Sequence, residues 1–339
     1  MTEITRVAVD TSKYVFTLHG VDASGRPVLR QNLRRERLLA FLAKLAPMEI
    51  ALEACGGSHH WGRELTALGH RVILIPPQYV KPFVKRAKND RNDAEAIATA
   101  AAQPGMAQVP VKSAEQQAAA MLLSVREMLT RQRTQLANAL RGHAAEFGIV
   151  AAKGDKGLSE LRASVAASSE LPTAAAEALA LLGAEIDRLE TQLAAADAKL
   201  KAQHNACPMS RLLAEVPGVG WMTALTLSLR VDPAQFRSGR HLAAWLGLVP
   251  KERSTGGKQR FGGISRAGDE RIRSLLVLGA TAVIQHARPG RPAASAWLLS
   301  LLERKPRKLA AVALANKMAR IAWAMMTSGE GYRRATVAA

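Results

Sequence analysis

Four acidic residues near the N-terminus constrain the fold of this chain more than any other feature. Asp10 and Glu53 each end a run of apolar residues, and Asp90 and Asp93 open an alanine-rich stretch of helical character. Buried strands that end in acids, together with two acids three residues apart at a helix start, favour an α/β fold in which the four carboxylates converge. Because converged carboxylates repel one another unless cations neutralise them, the pattern predicts a divalent metal site.

Each acid also has an ordinary structural explanation, and these alternatives stay open. Asp10 precedes Thr11 and Ser12, a combination that often caps a turn. Asp90 and Asp93 fit the first turn of a helix, where the helix dipole favours negative charge. Glu53 is harder to explain in this way, because a charge that closes an apolar strand needs a partner. The four acids together, in their strand contexts, favour the metal site.

Hydrophobic periodicity predicts the fold of the N-terminal part. Strands are expected over residues 4–10, 14–21, 28–32, 49–53 and 71–75, and helices over 35–46, 56–69 and 94–102. The order β-β-β-α-β-α-β-α is typical of a ribonuclease H-like domain, although periodicity alone supports only an α/β fold with a mixed sheet.

Two long helices are predicted beyond this part. The first spans 113–147 and carries Arg126, Arg131, Arg133 and Arg141, which either form a solvated basic face or contact nucleic acid. The second spans 171–204, and its leucines repeat at coiled-coil spacing, so it either joins two domains or pairs two subunits. We therefore expect an α/β domain over 1–150, a connector with a coiled coil over 151–206, and a mainly α-helical domain over 207–330.

The charge of the chain indicates its class of partner. The 339 residues include 47 Lys and Arg against 28 Asp and Glu, a net charge of +19 that is spread along the whole sequence. Nucleic acid is the expected partner of such a chain. There is no apolar run of about 18 residues, so no membrane span is expected. Two distant cysteines give no disulfide framework, which fits a reducing cytoplasm.

A glycine-rich turn in the C-terminal part resembles a phosphate-binding device. Pro217, Gly218, Val219 and Gly220 precede a predicted helix over 221–229. In helix-hairpin-helix motifs, backbone N–H groups at such a helix start bind a phosphate without reading the base sequence. The same residues also make plain turns, and this alternative stays open.

The segment 250–268 is the second candidate for chemistry. It places a hydroxyl pair, Ser254 and Thr255, among small and basic residues: Arg253, Gly256, Gly257, Lys258, Arg260 and Arg266. The glycines let the backbone approach a phosphate, and the cations neutralise it. The segment is either a flexible basic loop that binds phosphates or a loop in which one hydroxyl attacks phosphorus and forms a covalent link to DNA.

Two motif sets in this chain resemble those of a known family. The acids stand in Val7-Ala8-Val9-Asp10-Thr11-Ser12-Lys13, Leu52-Glu53-Ala54-Cys55-Gly56 and Asn89-Asp90-Arg91-Asn92-Asp93-Ala94. The later set runs from Pro217-Gly218-Val219-Gly220 through Trp245 and Pro250 to Gly268-Asp269 and Arg273. Both resemble the IS110 group of insertion-sequence transposases, in particular its IS1111 branch, to which the Piv-type DNA invertases are related. The resemblance covers nearly the whole chain.

The resemblance implies a fold and a mechanism. The fold is an α/β N-terminal RuvC-like (ribonuclease H-like) domain, a helical coiled-coil connector and a mainly α C-terminal transposase domain. Asp10, Glu53, Asp90 and Asp93 match the family's four acids, which hold Mg²⁺, expected here as two ions. A hydroxyl of the C-terminal loop attacks DNA, and a structured noncoding RNA, called bridge or seek RNA, selects donor and target DNA. The resemblance also implies composite active sites in a homo-oligomer, a dimer or tetramer, and a bacterial protein that is cytoplasmic and nucleoid-associated.

The identity of the nucleophile stays open at this point. Position in the motif favours Thr255, which directly precedes a glycine, whereas Ser254 carries the less hindered primary hydroxyl. Ser254 is the preferred residue. Two other functions remain: a metal-dependent nuclease or junction resolvase that uses water as the nucleophile, and a non-catalytic nucleic-acid scaffold.

Overall fold

The computed structural model describes residues 3–85, 89–288 and 295–333. The chain divides into two compact units, Met1–Gln117 and Ala118–Ala339. We call them the N-terminal unit and the C-terminal unit.

The N-terminal unit is an α/β unit whose elements follow the predicted order. Its strands are β1 (Arg6–Asp10), β2 (Val15–Val21), β3 (Pro27–Arg34), β4 (Glu49–Glu53) and β5 (Arg71–Ile75). Its helices are α1 (Leu38–Leu42), α2 (Ser58–Ala67), α3 (Pro77–Val80) and α4 (Asp90–Ala101), with 3-10 turns at Arg35–Arg37 and Lys81–Phe83.

The five strands form one mixed sheet in the order β3-β2-β1-β4-β5. The first three strands run antiparallel, as sequential hairpins do. Strand β4 pairs in parallel with β1, and β5 pairs in parallel with β4. The central strands β1 and β4 are buried on both faces, which explains why their sequences are continuous apolar runs. The prediction of an α/β unit with a mixed sheet is confirmed.

The two faces of the sheet carry side chains of different size. Val7, Val9, Ile50 and Leu52 lie in one cluster with residues of α1 and α2. The opposite face presents small residues from the central strands, Ala8 and Ala51, and α4 packs there. Small side chains let a helix lie close to a sheet, and this face carries the candidate site.

The helix predicted over 35–46 is shorter than expected. Its first residues, Arg35–Arg37, form a 3-10 turn, and only Leu38–Leu42 is α-helical. The reason is that the backbone N–H of Arg35 still bonds to the carbonyl of Tyr14 at 2.8 Å, which continues the pairing of β3 with β2. This bond holds Arg35 at the end of the strand pair, so the α-helix begins only at Leu38.

The C-terminal unit is mostly helical, and the long helix α5 (Ala114–Ala145) begins just before its boundary. Its further helices are α6 (Asp155–Ala167), α7 (Thr173–Ala206), α8 (Pro208–Leu213), α9 (Trp221–Arg230), α10 (Gly239–Trp245), α11 (Glu270–Gln285), α12 (Ala296–Arg304) and α13 (Arg307–Ser328). A two-stranded hairpin of β6 (Pro250–Glu252) and β7 (Phe261–Ile264) follows α10.

Apolar residues of α7 at coiled-coil spacing are buried against helices of the same chain. Leu179 and Ile186 lie in a cluster with Leu140 of α5 and with Leu158 and Leu161 of α6. Ion pairs connect the same helices on their polar sides, between Arg126 and Asp197 and between Arg162 and Asp187. The coiled-coil spacing thus produces intramolecular helix packing in this unit. The helix α6 was not expected in the predicted connector.

The last helix, α13, is the one helix of the described chain that is long and apolar enough to cross a membrane by length and composition, at a mean hydropathy of 1.2. Its hydropathy comes largely from alanine and methionine. Ala310, Ala311, Ala315 and Met318 are buried in the core that α13 shares with α10 and α11. One side of the helix therefore belongs to the core of this unit.

One close contact in this core requires two glycines. Gly218, with φ of +87°, lies against Gly279 of α11, and a Cβ on Gly279 would be 1.9 Å from the Gly218 carbonyl oxygen. No side chain fits in this space without a backbone shift.

Replacing Gly279 by alanine should therefore destabilise the C-terminal unit. We expect Gly279→Ala to lower the free energy of unfolding by about 1–3 kcal/mol, measured by urea denaturation, because overpacking forces the backbone apart. Gly142 of α5 is exposed and has open space around it. Gly142→Ala is the matched control. It should raise the free energy of unfolding by about 0.5–1 kcal/mol, because alanine is favoured over glycine in a helix interior. Equal effects of the two changes would contradict this packing.

Candidate active site and its family

Asp10 and Glu53 lie at neighbouring strand ends. Strands β1 and β4 pair in parallel with Val9 opposite Leu52, so Asp10 and Glu53 occupy the next position at the same edge of the sheet. Because side chains alternate along a strand, both acids share the face of Ala8 and Ala51. This is the face on which α4 packs.

The other two acids reach this edge from α4. Asp90, Asp93 and Ile97 are spaced by three and four residues and so lie on one side of the helix. Ile97 is fully buried against the sheet, which directs that side towards the strand ends. Asn89 caps the helix, since its side chain accepts the backbone N–H of Asn92 at 2.9 Å. The negative charges in the first turn are also favoured by the helix dipole.

Three of the carboxylates form a compact cluster. One oxygen each of Asp10, Asp90 and Asp93 lies within 4.8 Å of the other two. Asp10 and Asp93 are partly buried and Asp90 is exposed, so the cluster opens to solvent on one side. Glu53 adjoins Asp10 through the strand register and interacts electrostatically with both Asp10 and Asp93.

The crowding of like charges changes the acidity of the site. Burial, followed by the negative charges of Asp93, Asp90 and Glu53, raises the pKa of Asp10 from 3.8 to about 6. Burial and then the charge of Asp93 raise the pKa of Glu53 as well. Near neutral pH the cluster therefore carries charge that its surroundings disfavour.

No Lys or Arg among the described residues forms an ion pair with these four acids. The other end of β4 shows a contrasting arrangement, because Glu49 pairs with Arg6 and, at 3.0 Å, with Arg71. In a chain of net charge +19, cations are abundant, and Glu49 shows that the fold uses them to neutralise a carboxylate at a strand end. The four acids lack such partners in the described chain.

The donor set fits a hard divalent cation. Mg²⁺ takes oxygen ligands at about 2.0–2.1 Å in octahedral geometry, which puts ligand oxygens roughly 3–4 Å apart. The spacing of at most 4.8 Å between the carboxylate oxygens needs only small side-chain rotations to reach that geometry. Carboxylates that repel one another and open to solvent are well suited to bind such an ion.

The predicted loop at 250–268 contains a hairpin, which the sequence did not indicate clearly. Strands β6 and β7 pair antiparallel, and Thr255 bridges to Lys258 around Gly256 and Gly257. Both glycines have positive φ, at +56° and +77°, as a two-residue hairpin turn of the primed type requires. All residues from Lys251 to Arg260 are exposed.

The two hydroxyls of the hairpin have different surroundings. Ser254 Oγ donates a hydrogen bond to Glu252 Oε1 at 2.8 Å and accepts the backbone N–H of Arg260 at 3.3 Å. Among the described residues, the Thr255 hydroxyl has no hydrogen-bond partner. Sequence reasoning missed Glu252; the available signal was its position two residues before Ser254, on the same side of an extended strand.

The other predicted nucleic-acid contacts lie in the same unit. Arg253, Lys258, Arg260 and Arg266 are exposed, and within the described ranges none forms an ion pair. Arg266 has a φ of +56°, the one described residue other than glycine with a positive value. These four cations give the hairpin region a positive surface.

The two glycines of the predicted phosphate turn differ. Gly218 is held by its close packing against Gly279. Gly220 is exposed, precedes α9 directly and has open space beside it. Its position at a helix N-terminus leaves backbone N–H groups free to meet an anion.

Part of the basic face of α5 is used inside the chain. Arg126 pairs with Asp197 of α7, and Arg133 pairs with Glu190 of α7 and with Asp155. Arg141 donates to the carbonyl of Gly154 at 2.9 Å. These three arginines therefore hold helices together, and neither sequence alternative for them anticipated this.

Comparison with known proteins identifies the family. Residues 7–148 match the DEDD transposase model of IS110 elements, and residues 210–295 match the model described as the transposase IS116/IS110/IS902 family. The protein y4pF/y4sB of Sinorhizobium fredii is 55% identical over 98% of this chain and 87% of its own length. The transposase for insertion sequence element IS1111A of Coxiella burnetii is 38% identical over 98% of this chain and 92% of its own. The transposase for insertion sequence element IS1328 of Yersinia enterocolitica is 36% identical over 97% of this chain and 98% of its own length.

The chain belongs to the IS116/IS110/IS902 transposase family. The resemblance predicted from the sequence is confirmed, including the IS1111 branch. As a member of this family the protein is an insertion-sequence transposase that acts on DNA, and the family implies DNA cleavage and strand transfer. The DEDD transposase family also suggests use of a divalent metal, and the acidic cluster provides a group able to hold it.

The transposase should show a pH-dependent stability that traces to Asp10. Its pKa is raised by folding to about 6, so its contribution to stability is present below pH 3.8 and is lost as the pH rises through about 6. In EDTA at pH 7.5, Asp10→Asn should therefore be more stable than the wild type by about 1–3 kcal/mol, a range discounted because the carboxylate is partly exposed. The difference should vanish near pH 4. Thermal and urea unfolding at the two pH values measure it.

The control for this prediction is Glu36→Gln, which removes an exposed acid of the same unit. It should change stability by less than about 0.5 kcal/mol at either pH. A destabilised Asp10→Asn protein at pH 7.5 in EDTA would contradict the charge repulsion that we describe.

Proposed function

We propose that this transposase recombines DNA by metal-dependent phosphoryl transfer through a covalent protein–DNA intermediate. Asp10, Glu53, Asp90 and Asp93 would hold two Mg²⁺ ions, and Ser254 would be the nucleophile. The observation that carries the proposal is the convergence of acids without basic partners in the described chain. Two bound Mg²⁺ would stabilise the negative charge that develops at the attacking and leaving oxygens of an in-line displacement.

The hairpin supports Ser254 over Thr255 as the nucleophile. Ser254 is oriented by its hydrogen bonds to Glu252 and to the backbone of Arg260, whereas Thr255 lies at the turn. In the proposed step, Ser254 Oγ forms a bond to phosphorus while a bridging P–O bond of the strand breaks. The hydroxyl proton passes to the Glu252 carboxylate at 2.8 Å, and solvent protonates the departing strand end.

The exposed cations of the hairpin region have a supporting role in this mechanism. Arg253, Lys258 and Arg260 flank Ser254 in the hairpin, and Arg266 follows it. Their charges would bind the DNA backbone and neutralise charge on the phosphate in the transition state. Gly256, Gly257 and the turn at Gly218 and Gly220 would let the backbone approach phosphates closely.

The family resemblance extends the proposal to the whole assembly. We propose that the N-terminal unit is a RuvC-like domain, which its mixed sheet with acids at strand ends supports. The acids of one subunit would act beside the hydroxyl of another, in a tetramer. A structured noncoding guide RNA would select donor and target DNA, and the net charge of +19 is suited to a protein that binds both nucleic acids.

Trapping the covalent intermediate tests the nucleophile. Incubation with donor DNA and Mg²⁺ should give a protein–DNA adduct that survives denaturation. Ser254→Ala should abolish the adduct, and Glu252→Gln should slow its formation about 10²–10⁴-fold, the usual contribution of a proton acceptor. Thr255→Ser keeps a hydroxyl at the turn and should form the adduct at nearly the normal rate.

Three outcomes would contradict this assignment. An adduct in Ser254→Ala that is lost in Thr255→Ala would make Thr255 the nucleophile. Strand cleavage without any adduct would indicate a nuclease that uses water. A protein that binds DNA but does not cut it in Mg²⁺ would be a scaffold.

The guide RNA has a separate test. The purified transposase should contain a discrete noncoding RNA transcribed from its own element, identified by sequencing the bound nucleic acid. Ribonuclease treatment should abolish strand exchange between donor and target, and adding the RNA back should restore it. Full and site-specific exchange after complete RNA removal would contradict RNA guidance.

A further inference from the structure

A long groove in the C-terminal unit has no role in the mechanism above. It has a volume of about 1110 Å³ and lies between α10, α13, the start of α12 and the base of the hairpin. Small-molecule sites usually measure about 300–1,000 Å³, so this groove is large enough for a segment of a polymer.

The groove is positively charged. Arg240, Lys317 and Arg320 line it, and no carboxylate lines it among the described residues. Within the same part of the chain, none of these three cations forms an ion pair. In contrast, Arg230 and Arg271, elsewhere in this unit, both pair with Glu127. The groove therefore offers charge that an anion can neutralise.

Close helix packing brings together the backbone segments that carry two of these cations. A Cβ on Gly239 would be 3.0 Å from the Cα and the carbonyl oxygen of Arg320, so the start of α10 lies directly against α13. Arg240 follows Gly239 in sequence, and both arginines are exposed. The two side chains therefore start from the same part of the groove wall.

An aromatic ring stands at the same groove. Trp297 of α12 lines it and keeps 38% of its surface exposed. The Lys317 ammonium lies 4.3 Å from the ring centroid, a cation–π contact that orients the indole. Leu309, which is 53% exposed, adds an apolar surface beside it. An oriented aromatic ring next to unpaired cations is the arrangement that binds single-stranded nucleic acid, with a base stacked on the ring and phosphates on the cations.

The groove continues into the hairpin that carries Ser254. Pro250 of β6 and Gly262, Gly263 and Ile264 of β7 form part of its wall. A strand bound in the groove would therefore pass the base of the hairpin. A strand that is cleaved and exchanged must be unpaired at some stage, because its end changes partners.

We propose that this groove binds an unpaired segment of the substrate DNA, with a base stacked on Trp297 and its phosphates at Arg240, Lys317 and Arg320. The choice of DNA over RNA rests on the proposed function, since the hairpin beside the groove is the proposed place of DNA attack. The groove keeps the cleaved strand end next to the hairpin until that end is joined to another strand.

Equilibrium binding to short oligonucleotides tests the groove without any cleavage. The full-length protein in EDTA is titrated into a fluorescent single-stranded DNA of about 12 nucleotides, and into the matching duplex, at several salt concentrations. Trp297→Ala should weaken binding to the single strand about tenfold at every salt concentration. Its effect on the duplex should be small, and Trp297→Phe should retain most of the affinity.

The cations should give a different signature from the ring. Lys317→Gln or Arg240→Gln should weaken binding and lower the salt dependence of log Kd by about 0.7, the value of one phosphate contact with a single strand. Trp297→Ala should leave that slope unchanged. Leu181→Ala and Lys199→Gln replace exposed residues of α7 outside the groove and serve as matched controls.

Two results would overturn the proposal. In the first, the Trp297→Ala and Lys317→Gln proteins, shown to be folded by thermal unfolding, bind single-stranded DNA as tightly as the two controls do. In the second, affinity is lost only for RNA of the same sequence, which would make the groove an RNA site. The binding assay involves neither metal nor cleavage, so either result leaves the proposed chemistry at Ser254 untouched. Failure of the adduct experiment would likewise leave the measured binding to the groove unchanged.

Discussion

Repulsion among carboxylates that are forced together is the interaction on which the rest of this structure depends. The central strands present Ala8 and Ala51 to α4, so that helix lies close to the sheet and its first turn meets the strand ends. Asp10, Asp90 and Asp93 are thereby held within 4.8 Å of one another, with Glu53 beside them. Folding concentrates negative charge at one point of a strongly basic chain, and this arrangement costs stability unless a cation is bound.

The C-terminal unit shows the complementary arrangement, in which positive charge is left available. Many of its arginines are used internally, as in the pairs of Arg126 with Asp197 and of Arg133 with Glu190. The cations of the hairpin and of the groove beside it have no such partners in the described chain. Since the family acts on DNA, we interpret the unpaired cations as contacts for phosphates and the paired ones as elements of the fold.

The sequence predicts the N-terminal unit better than the C-terminal one, for a physical reason. An apolar run that ends in an acid identifies both a buried strand and its exposed end, so Asp10 and Glu53 could be placed before the fold was known. The hairpin around Ser254 is exposed except for Ile264 and lacks an apolar face, so no periodicity marks its strands. Glu252 becomes a candidate only once that hairpin is known. The groove depends on contacts such as that between Gly239 and Arg320, which are distant in sequence. The roles of the four acids and of the two hydroxyls stay predictions.

Crystals of the full-length transposase grown with Mn²⁺ in place of Mg²⁺ provide the most direct measurement of the central claim. The account predicts anomalous difference density in direct contact with carboxylate oxygens of Asp10, Asp90 and Asp93, and the loss of that density in crystals of Asp93→Asn. Mn²⁺ found only at other carboxylates, or density that persists unchanged in the variant, would contradict the claim that these acids form one cation-binding cluster.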